Sequence, residues 1–99
     1  MKAVVLQELG DAAHLVYQEV PTPAVSDKHV LVKVHACGVG YRDVIERRGD
    51  MPLLRPPIIQ GHEFAGEVVA LGAGVVHWSG GDRVLDLFGA SCGRRPPCI

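Results

Sequence analysis

Apolar and polar positions change rhythm several times along the chain, and each change marks an element. Residues 1–6 are mostly apolar and read as a first strand. Residues 15–20 read as a second, with Gly10-Asp11 supplying the turn between them. Pro21 and Pro23 end that strand, and Val25-Ser26-Asp27 makes a turn. Residues 29–37 alternate: Val30, Val32, Val34 and Ala36 fall on one face, Leu31, Lys33, His35 and Cys37 on the other. Gly38 and Gly40 break this strand. Residues 41–48 then fit a short helix stopped by Gly49, with Val44 and Ile45 on its buried side and Arg47-Arg48 solvated near the negative pole of its dipole.

The prolines of residues 51–59 predict an extended, irregular stretch. Residues 63–71 return to strand. Gly66 inside them predicts a bulge or a close backbone approach, because a glycine there gives up side-chain packing. Gly72-Ala73-Gly74 turns the chain, and after Gly80-Gly81-Asp82 residues 83–88 form a last strand. Residues 89–99 carry no periodicity. Many short strands with turns between them predict a mainly β fold, a small barrel or sandwich with one short helix.

Composition narrows the function classes. At 99 residues the chain suits one domain. A domain of that size buries roughly 65% of the surface its unfolded chain exposes, so its core is thin. Net charge is -1, which offers no basic face for nucleic acid. The first apolar run stops at Gln7-Glu8, short of a signal peptide, and no run is long enough to cross a bilayer. A cytoplasmic location is the expectation. Three cysteines make an odd number, so reduced thiols or metal ligands are expected rather than a disulfide framework.

Four motifs occur in order: Val34-His35-Ala36-Cys37-Gly38-Val39-Gly40-Tyr41-Arg42-Asp43, Gly61-His62-Glu63-Phe64-Ala65-Gly66-Glu67-Val68-Val69, Gly81-Asp82-Arg83-Val84, and Cys92-Gly93-Arg94-Arg95-Pro96-Pro97-Cys98. Together they resemble the N-terminal catalytic domain of zinc-dependent medium-chain alcohol dehydrogenases. That resemblance implies a GroES-like fold, a partly open β-barrel, over residues 1–99 as a single domain truncated within the lobe that holds a structural zinc. It implies a catalytic zinc held by a Cys, a His and a later Cys or Asp. His62 matches the His, Glu63 a carboxylate able to ligate transiently, and Asp43 the carboxylate that orients the imidazole. The implied reaction interconverts a small-molecule alcohol and a carbonyl, with NAD or NADP as the hydride carrier in the full-length family.

The sequence departs from that pattern. The first ligand Cys falls on Gly40, and the third lies past Ile99. The Ser or Thr of the proton relay falls on Arg42. At the structural zinc, Cys92 and Cys98 match the first and third of four cysteines, while Arg95 stands at the second. A closed site takes four ligands and a catalytic one three, so both ligand sets are short. No Gly-x-Gly-x-x-Gly occurs, so the isolated chain is expected to be inactive.

Three functions follow. The first is the catalytic-domain portion of a zinc-type alcohol dehydrogenase. The second is a non-catalytic GroES-like module that binds a partner or self-associates, through apolar surface left uncovered. The third is a zinc-independent relative of quinone reductases. Cys37 is expected to be a small buried hydrophobe and His35 structural, Trp78 to pack in the core, and His14, His29 and His77 to lie at the surface.

Overall fold

The structure, a computed structural model, describes residues 1–51 and 54–86. Its strands are β1 (Lys2–Leu6), β2 (Leu15–Glu19), β3 (Val30–Cys37), β4 (Phe64–Leu71) and β5 (Arg83–Asp86), with one α-helix, α1 (Tyr41–Arg48). A single 3₁₀ turn, Ala12–His14, capped by Asp11, precedes β2 and was not legible in the pattern. The mainly β fold with one short helix is as expected. Residues 87 and 88 of the last expected strand, and the 89–99 tail with Cys92, Arg95 and Cys98, lie outside the described residues.

Two antiparallel sheets carry the fold. β1 pairs β2 with Lys2 opposite Glu19 and Leu6 opposite Leu15. β4 is the central strand of the second sheet, between β3 and β5. Neither sheet closes on itself, so the architecture is open. One link reaches from β1 toward the proline-rich segment: Leu6 and Ile58 exchange backbone hydrogen bonds at 2.8 and 3.1 Å.

Gly66 is where the sequence reading is most directly met. It lies on the central strand, opposite Val34 and Val84. Any Cβ there would run into the Lys33 carbonyl oxygen and come within 2.7 Å of Val32 Cγ1. The β3–β4 register slips just beside it, between Val34 and Ala36. Close approach and bulge therefore occur together, which is how a bulge re-aims a strand.

The buried hydrophobic core among the described residues is small: Val5, Leu6 and Val68. Much apolar surface remains exposed, including Val34, Val69 and Leu85. The sheets leave a cavity of about 830 Å³ between them, whose lining includes Val4, Leu31, Val34, Phe64 and Val69.

Three expectations are corrected. Cys37 is exposed, as are all of residues 33–37 of β3. Trp78 is about half exposed in the connection between β4 and β5, not packed in a core. Arg47 is half-buried rather than solvated, because its guanidinium donates to the Gly10 carbonyl and ties α1 to the first loop.

Candidate functional site

The site is built where β3 ends and β4 begins. These strands pair Cys37 with Phe64, so the loops leaving them lie side by side. The Gly38 N–H donates to the Glu63 carbonyl at 2.9 Å and clamps the two loops together. Gly61 adopts φ 116°, a left-handed conformation open to glycine, and a side chain there would press on Cys37 Sγ at 3.2 Å. This places His62 and Glu63 beside the start of α1.

α1 begins at Gly40, which has no side chain with which to cap it. The capping contact comes from inside the helix instead: the Gly40 N–H donates to Asp43 Oδ2 at 2.9 Å. A carboxylate in the first turn is also favoured by the helix dipole. Gln60 locks the other side, donating from Nε2 to the Asp43 carbonyl at 3.0 Å. Asp43 is consequently the most buried residue of the helix, at 9% exposure, while Val44 and Ile45 are half-buried.

Asp43 Oδ1 accepts no hydrogen bond and faces His62 Nδ1 at 3.8 Å. On the opposite edge of the ring, His62 Nε2 faces Glu63 Oε1 at 3.8 Å. The imidazole, one quarter exposed, thus sits between a buried carboxylate behind it and an exposed carboxylate in front. Both separations exceed hydrogen-bond length but lie within ion-pair reach. All three residues singled out for chemistry, Asp43, His62 and Glu63, come together.

Other candidates do not join them. Arg42 turns along α1 and pairs with Glu46 at 2.9 Å. His35 is exposed and faces Glu67 across the sheet at 3.9 Å. His29 and His77 are exposed as expected, whereas His14 is half-buried against Gly10. The metal candidates Cys92 and Cys98 lie outside the described residues. Gln60 and the Gly38 clamp were missed, because their roles come from backbone partners that no side-chain pattern announces.

The fit to a catalytic zinc can be tested on the donors. Two ligands of one tetrahedral zinc lie about 3.4 Å apart, from bond lengths of roughly 2.1 Å. The His62 and Glu63 donors, at 3.8 Å, are close to that spacing. A third ligand is still required, and Gly40 offers none. Among the described residues no group of three His, Cys, Asp or Glu side chains is placed to hold a metal. The described residues therefore do not fit the ion.

Comparison with known proteins supplies the family. The alcohol dehydrogenase GroES-like domain family matches residues 26–98. An alcohol dehydrogenase of Moraxella sp. (strain TAE123) is 38% identical over 101 residues, covering 100% of this chain and 29% of the relative. The acryloyl-coenzyme A reductase of Metallosphaera sedula is 37% identical over 93 residues, covering 94% of this chain and 27% of the relative. The crystal structure of AibC superposes with a TM-score of 0.91 at 47% identity, over 99% of this chain and 27% of that one. The chain spans less than a third of the length of these relatives.

Proposed function

The chain belongs to the alcohol dehydrogenase GroES-like domain family, and from that premise we propose that its 99 residues are the substrate-side domain of an NAD(P)-dependent oxidoreductase. The reaction is interconversion of a small alcohol and its carbonyl compound. The observation that carries this reading is the Asp43–His62–Glu63 cluster, in which strand pairing and the α1 cap hold an imidazole between two carboxylates. Asp43 fixes the start of α1 and sets the field behind the ring, and His62 and Glu63 present polar atoms at the loop surface. The nicotinamide is held outside these residues, which contain no Gly-x-Gly-x-x-Gly turn.

A second reading, reduction of a carbon–carbon double bond conjugated to a carbonyl, is favoured by the missing side chain at Gly40. A reduced nicotinamide bound outside these residues would supply the hydride to the β carbon, with the π pair shifting toward the carbonyl oxygen and a proton added at the α carbon, so that the alkene would be reduced as the nicotinamide was oxidised. This step stores charge in a conjugated enolate and makes less demand on a Lewis acid than removing an alcohol proton does. Acryloyl-coenzyme A reductase among the relatives gives it further support.

The test is a chimaera in which this chain replaces the matching stretch of the Moraxella alcohol dehydrogenase. NAD(P)H oxidation is then followed with a short aldehyde and with a conjugated enone. Turnover of the aldehyde supports the first reading, and turnover of the enone alone supports the second. A folded chimaera inert toward both, beside an active parent, would overturn both.

A further inference from the structure

The disagreement between this site and a zinc centre is specific. Gly40 has φ -102° and ψ 168°, an extended conformation that any L-residue adopts. A Cβ built on it meets nothing closer than His62 Cε1 at 3.9 Å and the Arg42 amide nitrogen at 4.0 Å. Both are ordinary van der Waals separations, so glycine is not required here by backbone or by space. Gly66, where a Cβ collides with backbone, and Gly49, at φ 89°, are different cases. At Gly40 the side chain is missing from a place that has room for one, and that place adjoins the edge of the His62 ring.

Two carboxylates flank the His62 ring. Asp43 stands behind Nδ1, where a carboxylate orients a ligating imidazole. Glu63 stands beside Nε2, on the edge that would face the ion. The contact that positions Asp43 uses the backbone N–H of Gly40, which any residue except proline supplies.

We infer that the Asp43–His62–Glu63 cluster is a metal-free site in this chain, held one ligand short of a zinc centre by Gly40, and that one thiol at position 40 converts it into a metal site. The inference concerns ligand supply and stands apart from which substrate the proposed enzyme takes.

The probe is Co²⁺, titrated into the 99-residue chain carrying Cys92→Ser and Cys98→Ser, which removes the tail thiols. Tetrahedral thiolate-bound cobalt gives intense visible bands and a sulfur-to-cobalt charge-transfer band. The parent is expected to show neither. Adding Gly40→Cys should bring both bands at one equivalent, with affinity raised at least about tenfold by the extra thiolate ligand. Adding His62→Ala to that variant should abolish them. Gly40→Ala should fold as the parent does, by circular dichroism, since only a Cβ is added. Elemental analysis of the unsubstituted chain tests the first half even if the cysteine variant misfolds. Zinc absent, or present and retained in His62→Ala, upholds the inference. Stoichiometric zinc lost on His62→Ala overturns it, as does a folded Gly40→Cys variant that binds cobalt no more tightly than its parent.

Discussion

Gly66→Ala should be among the most damaging single-methyl changes available to this protein. The added Cβ would meet the Lys33 carbonyl oxygen inside bonding-clash range, with Val32 Cγ1 at 2.7 Å and the Lys33 carbonyl carbon at 3.0 Å. Two of these three atoms are backbone, so no rotamer change relieves the contact. β4 is paired on both edges, to β3 and to β5, so it cannot shift without loosening one ladder. Overpacking a tight interior typically costs about 1–3 kcal/mol, and a clash with fixed backbone belongs at the upper end, about 3 kcal/mol. Val68, two residues along the same face, is one of only three buried hydrophobic side chains among the described residues, so the loss falls on the core itself. Against a total stability of order 5–15 kcal/mol, that is a large share. With an m-value of about 1 kcal/mol/M in urea, the unfolding midpoint should fall by about 3 M. The assay is equilibrium urea unfolding followed by far-ultraviolet circular dichroism. Gly80→Ala is the control: nothing lies within 4 Å of its Cβ and its φ is not left-handed, so it should change stability by less than about 0.5 kcal/mol. A Gly66→Ala midpoint within error of both parent and control would refute the reasoning.

Other consequences are open to measurement. Gly49 ends α1 in a left-handed conformation, φ 89° and ψ 13°, with Leu9 Cδ1 3.3 Å from where a Cβ would lie. Gly49→Ala should therefore cost about 1 kcal/mol or more in thermal unfolding. Asp43→Ala removes the acceptor for the Gly40 N–H and should cost about 1 kcal/mol, whereas Asp43→Asn, which keeps an acceptor, should lose less. The Glu19 carboxylate is held below its usual pKa of 4.5 by a hydrogen bond from the Met1 ammonium, then by Lys2 and by the ammonium charge. A depressed carboxylate stabilises the fold above pH 4.5, and that contribution fades as the pH falls through the lowered value. An NMR titration should find Glu19 below the usual glutamate value, and N-terminal acetylation should move it back up. High salt should shrink the difference, because these groups are exposed.

Local patterning along the chain specified the elements. Alternation, glycine and proline placed all five strands to within two residues where described, and located α1 exactly, because local periodicity and helix-stopping glycine are encoded over a few neighbouring positions. Gly66 announced its close approach, since a glycine within an apolar strand gives up packing that a larger residue would supply. Asp43, His62 and Glu63 were legible as a group through the motif that frames them, and the gap at Gly40 was legible with them. Tertiary structure alone decided what covers what. Cys37 and Trp78 look like core residues by type, yet both are exposed, because burial depends on which sheet passes overhead and not on the residue itself. Arg47 looks solvated by type, yet the first loop folds back onto it. The same holds at the site. The Gln60 brace and the open space beside Gly40 arise where chain segments roughly twenty residues apart meet. Their distances are set by strand register and backbone hydrogen bonds, a non-local geometry that no local pattern of side chains specifies.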